Sequence, residues 1–135
     1  MKQLNTVLLI DDDDTTNYLN HRLISRMEIA SDVRIVTDGE EALGYLNKAF
    51  AGDKDYPRPN LIFVDIKMSG MDGFEFLEEY RKVPEADKDG TVMLMLTSSA
   101  SFYDLEKLKN FPDVRQHYSK PLTDTDVREI MQTYF

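Results

Sequence analysis

Three short apolar runs constrain this chain more than any other feature. Val7 to Ile10, Leu61 to Val64 and Val92 to Leu96 are each four or five residues long. They are too short for free-standing helices, and none alternates apolar with polar residues. Strands buried on both faces of a parallel sheet have this character, because neither face meets water. Val33 to Thr37 and Val114 to Tyr118 are two weaker runs. Between and after the runs, apolar residues recur at helical spacing. These are Leu19, Leu23, Ile24 and Met27; Ala42, Leu43, Leu46 and Phe50; Phe74, Leu77 and Tyr80; Phe102, Leu105 and Leu108; and Val127, Ile130, Met131 and Tyr134. Thr15 or Thr16 is placed to cap the first stretch, and Thr123 or Asp124 the last. Gly52 ends the second, Pro84 the third, and the fourth stops near Pro112.

Strand then helix, five times, predicts an α/β domain with helices on both faces of a parallel sheet. In 135 residues this suits a flavodoxin-like (βα)5 three-layer α/β/α sandwich. The expected order of its five-stranded sheet is 2-1-3-4-5. Residues 1–135 are expected to form one domain, with no linker, repeat or output domain. The longest irregular stretch, Gly52 to Asn60, leads directly into the third strand and lies inside the domain.

Composition narrows the function. Acidic residues outnumber basic ones 25 to 16, for a net charge of −9. Such a field repels phosphate backbones and anionic lipid, so neither nucleic acid nor a membrane surface is expected as a partner. The absence of cysteine excludes disulfides, thiolate metal sites and cysteine nucleophiles. The longest apolar run is far short of a membrane span. Met1 to Asn5 carries no signal-peptide apolar segment. A soluble cytoplasmic protein is the expectation.

In an open parallel sheet, ligands bind beyond the carboxyl ends of the strands. The first strand ends in Asp11-Asp12-Asp13-Asp14 and the third in Asp65. The fourth ends in Thr97-Ser98-Ser99, and the fifth in Ser119-Lys120-Pro121. Carboxylates crowded into one crevice repel each other and require a cation. Oxygen donors without histidine or cysteine favour Mg²⁺. A hard cation beside a carboxylate nucleophile, a hydroxyl and a lysine suits phosphoryl transfer. Taken singly, each group has a plainer explanation: turn residues, a helix cap, a surface lysine. Their conjunction at four strand ends favours a site.

These residues also carry a resemblance. Over about Asn5 to Phe135 the sequence resembles the receiver domains of two-component response regulators. Val7-Leu8-Leu9-Ile10-Asp11-Asp12 is similar to the family's first strand and acidic pair. Leu61-Ile62-Phe63-Val64-Asp65-Ile66-Lys67-Met68-Ser69-Gly70-Met71-Asp72-Gly73 is similar to its phosphoacceptor strand and loop, and is the most specific signal. Met93-Leu94-Met95-Leu96-Thr97-Ser98 and Lys120-Pro121 are similar to the fourth strand with its hydroxyl and to the lysine–proline step.

The resemblance implies that Asp65 accepts a phosphoryl group from a sensor histidine kinase or a histidine phosphotransfer protein. It implies Mg²⁺ bound by Asp12, Asp65 and the backbone carbonyl of Lys67, with Asp11 acting mostly through water. Thr97 would hydrogen-bond the phosphoryl oxygen, and Lys120 would pair first with Asp65 and then with the phosphoryl group. The Lys120–Pro121 bond would be cis. Such a domain catalyses its own aspartyl phosphorylation and dephosphorylation and is not otherwise an enzyme. Its signal would pass to an unknown downstream protein target through the fourth helix, fifth strand and fifth helix, including Ser101 to Lys109 and the stretch from Val114. Within that surface, Phe102 and Tyr103 are candidate partner contacts, although helical spacing favours Phe102 in the core.

Some positions depart from the family or extend its pattern. Ser69 stands where proline is usual. His117 stands three residues before the lysine, where Tyr or Phe is usual, and is expected to be a surface histidine. Tyr118 should point to the opposite face of its strand, so it does not replace that ring. Asp13 is a further candidate cap for the first helix, with Asp14 solvated, and His21 is expected to be exposed.

A haloacid-dehalogenase-type phosphatase is the alternative. Asp11-x-Asp13-x-Thr15 matches its nucleophile motif, with Asp11 attacking and with Thr97 or Ser98, and Lys120, as further motifs. Its fourth acidic motif should follow the lysine on another strand, where only a helix with Asp124 and Asp126 remains, and the Asp65 stretch goes unexplained. A flavodoxin-type cofactor module is disfavoured, because four carboxylates after the first strand repel a flavin phosphate.

Lys67 lies two residues after Asp65, where its side chain can lean over a phosphoryl group and obstruct water. Lys67→Asn is therefore expected to shorten the phosphoryl lifetime, measured by loss of radiolabel. Equal or faster decay in the parent protein contradicts this.

Overall fold

Successive residues of each central strand point into different apolar layers, which explains why the runs show no alternation. The computed structural model describes residues 3–98 and 100–135. Ser99, grouped above with Thr97 and Ser98, lies outside the described residues, as do Met1 and Lys2. The strands are β1 (Leu4–Ile10), β2 (Ala30–Val36), β3 (Leu61–Val64), β4 (Val92–Thr97) and β5 (Val114–Ser119). They form one parallel sheet in the order β2-β1-β3-β4-β5, as expected. The helices are α1 (Asp14–Arg26), α2 (Gly39–Phe50), α3 (Gly73–Tyr80), α4 (Glu85–Lys88), α5 (Phe102–Leu108) and α6 (Asp124–Tyr134).

Leu8, Ile10, Ile62, Val64, Met93 and Met95 pack on one face with Ala42, Leu46, Phe76 and Leu77 of α2 and α3. Val7, Leu9, Phe63, Leu94 and Leu96 pack on the other with Ile24 of α1 and Val127 and Ile130 of α6. Each of the Val, Leu, Ile, Phe and Met side chains among these contributes about 1.5–3 kcal/mol relative to exposure. The weaker runs are the sheet edges: β2 and β5 each bury one residue, Val36 and Tyr118.

Local signals set the helix starts. Asp13, not Thr15 or Thr16, caps α1, its side chain accepting from the Thr16 N–H. An aspartate just before the first turn also favours the positive end of the helix dipole. Thr123 caps α6, and Ser101 and Asp72 form capping boxes at α5 and α3. Gly52 follows α2 with φ +88°.

Two expectations need correction. Pro84 does not simply end a helix; it precedes the one-turn α4. The buried Lys88 amine donates there to the Arg81 carbonyl and lies 3.1 Å from the Asp113 carboxylate. Phe102 is not in the core: it is 79% exposed, and α5 buries no residue. Leu108 alone of its apolar stripe packs against the α2–α3 layer.

Gly73 connects packing to the strand ends. Its N–H donates to the Ile66 carbonyl at 2.8 Å. A Cβ at this position would lie 2.1 Å from the Asp65 backbone oxygen. Only glycine lets α3 begin directly beneath Asp65. By contrast, a Cβ at Gly44 in α2 meets nothing within 4 Å. Gly73→Ala is expected to lower stability by about 1–3 kcal/mol or more. Gly44→Ala should raise it by about 0.5–1 kcal/mol. Urea unfolding of both variants checks the contrast, and equal midpoints would contradict it.

Candidate functional site

The four expected strand ends do meet, and the sheet's own hydrogen bonds position them. The Asp11 N–H donates to the Val36 carbonyl, and the Asp65 N–H to the Ile10 carbonyl, both at 3.0 Å. The Lys120 N–H donates to the Thr97 carbonyl at 3.0 Å. Each functional residue thus hangs one step beyond a strand while still bonded to its neighbour. The Lys120–Pro121 peptide is cis.

Lys120 is the hub. Its Nζ lies 2.6 Å from Asp11 Oδ2 and 2.9 Å from Asp65 Oδ2, with all three side chains nearly withdrawn from solvent. Burial pushes the Asp11 carboxyl above its ordinary value, despite hydrogen bonds from Lys120 and the Asp13 N–H. Burial also works against the Lys120 charge, but hydrogen bonds to Asp11 and Asp65 outweigh it, so the amine is raised. Two buried carboxylates sharing one ammonium leave uncompensated negative charge, and Asp12 adds more. Asp11, Asp12 and Asp65 each offer an oxygen within 4.8 Å of the others. This all-carboxylate set fits a hard divalent cation.

Asp12, Asp13, Asp65, Lys67, Ser98, Lys120 and Pro121 line an open cleft of about 410 Å³ together with Thr16 and Leu19. Thr97, the last residue of β4, is buried, and Ser98 forms the cleft wall at that strand end. Lys67 is exposed at the cleft. His117 is exposed opposite Met95 on the sheet edge, and Tyr118 is buried in the α1–α6 layer, as expected from alternation. Tyr118 finds no hydroxyl partner among the described residues, and burial pushes its pKa up to about 12. His21 is exposed.

Supporting residues escaped the sequence reading. Asn17 Nδ2 donates to the Asp11 carbonyl at 2.9 Å, and Asn20 Oδ1 accepts from the Leu122 N–H at 3.2 Å. Both asparagines are buried on the inner face of α1 and brace the two sides of the Lys120 contact. The available signal was polar residues on a helix face otherwise defined by Leu23 and Ile24. The phosphatase alternative fares poorly. Asp11 accepts from the Asp13 N–H on Oδ1 and contacts Lys120 through Oδ2, and it does not line the cleft. Asp13 is occupied as a helix cap.

A family model described as the response regulator receiver domain matches residues 7–132. Hybrid signal transduction histidine kinase L of Dictyostelium discoideum is 29% identical over 138 residues, covering 98% of this chain and 7% of that protein. Response regulator Rcp1 of Synechocystis is 28% identical over 88 residues, covering 65% of this chain and 59% of that one. The chain thus spans less than two thirds of the length of either relative. A solved two component response regulator from Cytophaga hutchinsonii superposes with TM-score 0.87 at 29% identity, covering 98% of each chain.

Removing Lys120 strands two buried carboxylates, so Lys120→Ala is expected to cost about 3–5 kcal/mol near neutral pH. The sign follows from the shifts. A raised lysine contributes fully below the ordinary amine value of 10.5 and loses its contribution as pH rises through the raised value. A raised Asp11 means that its ionisation costs the fold, a cost absent below 3.8. The loss in Lys120→Ala should therefore shrink towards acid pH, and a pH-independent loss in urea unfolding would contradict the pairing.

Proposed function

The chain belongs to the response regulator receiver domain family, and from that premise we propose that it takes up a phosphoryl group on Asp65 in an Mg²⁺-dependent step. The observation that carries this is Lys120 held between Asp11 and Asp65 at the strand ends. The donor is a phosphohistidine of a sensor kinase or of a phosphotransfer protein. A carboxylate oxygen of Asp65 attacks phosphorus, the P–N bond breaks, and the imidazole leaves. An aspartyl phosphate results.

Asp11, Asp12, Asp65 and the Lys67 backbone carbonyl are the groups proposed to hold the cation. When bound, Mg²⁺ supplies positive charge to the oxygens of the transferring group. Lys120 passes from Asp65 to a phosphoryl oxygen and offsets charge there. Thr97 donates its hydroxyl to the phosphoryl group. Thr97 is buried at the end of β4, and its movement toward the phosphoryl group would shift the loop that follows. The product carries roughly one more negative charge than the carboxylate it replaces. Hydrolysis of the acyl phosphate resets the domain, which acts as a signalling receiver and not as a turnover enzyme.

The signal leaves by protein contact with a downstream target. The exposed Phe102 and Tyr103 of α5, at 79% and 72%, support a surface there that includes β5 and α6. Location in the cytoplasm accords with a kinase as donor. Among the described residues, no helix is long and apolar enough to cross a membrane.

Intact mass after acetyl phosphate and Mg²⁺ tests the proposal. One added phosphoryl group is expected, absent without Mg²⁺ and absent in Asp65→Asn. No adduct in the parent, or an adduct retained in the variant, overturns it.

A further inference from the structure

Three carboxylates meet at the strand ends, but the described ion pairs join Lys120 only to Asp11 and Asp65. Asp12 is exposed and draws its hydrogen bond from a different source. The backbone N–H of Ser69 donates to Asp12 Oδ2 at 2.9 Å, across 57 residues of sequence. Ser69 lies in the loop between β3 and α3, the loop that also carries Lys67. One amide therefore joins the segment after β1 to the segment after β3.

We propose that the Ser69 amide is a positioning group for the cation site. It holds the Asp12 carboxylate beside Asp65 before a cation arrives. This rests on the reading of Asp12 and the Lys67 carbonyl as cation ligands. Three clustered carboxylates repel, and the exposed one is the freest to rotate into solvent. An N–H to a carboxylate is a charge-assisted bond that opposes this rotation. A carboxylate has about four lone-pair sites, so one donor leaves capacity for a cation. The same bond holds the Lys67-bearing loop against Asp12 and limits the ordering left for the cation to impose. The donor belongs to the main chain, so the side chain at position 69 is immaterial provided its nitrogen bears hydrogen. Proline is the one coded residue that removes it.

The decisive variant replaces the Ser69 amide by an ester, introduced as the α-hydroxy acid. It deletes the donor and leaves the side chain in place. Ser69→Pro deletes it genetically, and Ser69→Ala keeps it. Mg²⁺ titration of the unphosphorylated full chain by calorimetry is the readout, with urea midpoints taken without Mg²⁺ alongside. The ester and the proline variant should weaken Mg²⁺ binding by about tenfold, while Ser69→Ala retains it. In an Asp12→Ala background the ester should cause no further loss, a non-additivity that a general loosening of the loop does not produce. Unchanged or tighter binding by the ester variant overturns the proposal and leaves the phosphoacceptor reading intact. So does an undiminished further loss in the Asp12→Ala background. No Mg²⁺ binding by the parent overturns both. If Ser69→Pro fails to fold, the ester alone decides.

Discussion

Lys120 Nζ sits between two buried carboxylates, 2.6 Å from Asp11 and 2.9 Å from Asp65. Neither aspartate is tolerable at that depth without it, because an unpaired buried charge is strongly destabilising. The rest of the architecture delivers the three groups to this contact. β1 and β3 are neighbours in the sheet, so their carboxyl ends place Asp11 and Asp65 side by side. β5 lies beyond β4, and Lys120 reaches across from the turn that follows it. Asn20 holds that turn through Leu122, and Asn17 holds the Asp11 carbonyl.

The charge balance at this contact links stability to signalling. One ammonium serves two carboxylates, with Asp12 as a third beside them, so the site retains negative charge that a divalent cation would offset. In the proposed reaction, attachment of a phosphoryl group to Asp65 would take away the carboxylate that Lys120 now holds and offer phosphoryl oxygens in its place. Lys120 would keep Asp11 and exchange only its Asp65 contact, and Thr97 at the end of β4 lies one strand from both Asp65 and Lys120. Under that proposal, the elements that follow β4 and β5 are the ones placed to register the exchange. α5 buries none of its residues, which suits it to the proposed role of passing the change to a partner.

The central sheet was legible because β1, β3 and β4 are apolar on both faces. The edges were fainter because β2 and β5 are largely solvent-facing. The acidic, hydroxyl and lysine groups were legible because one rule of parallel sheets sends every strand end to the same edge. What escaped depends on contacts distant in sequence. α4 rests on the Lys88 pairing with Asp113, which no local pattern announces. Phe102 was misplaced because helical spacing says which residues share a face but not whether anything covers it. Gly73 could be recognised as part of a motif, yet its reason is the backbone oxygen of Asp65. The bond from Ser69 to Asp12 is made by a main-chain donor, which residue identity does not reveal.

The central claim is that the reactive carboxylate is Asp65 and that Asp11 supports it. Borohydride reduction of the phosphorylated protein converts an acyl phosphate to an alcohol, leaving homoserine where the phosphoryl group had been. Peptide mapping should find homoserine at position 65 alone. Homoserine at position 11 would contradict the account and return the chain to the phosphatase alternative.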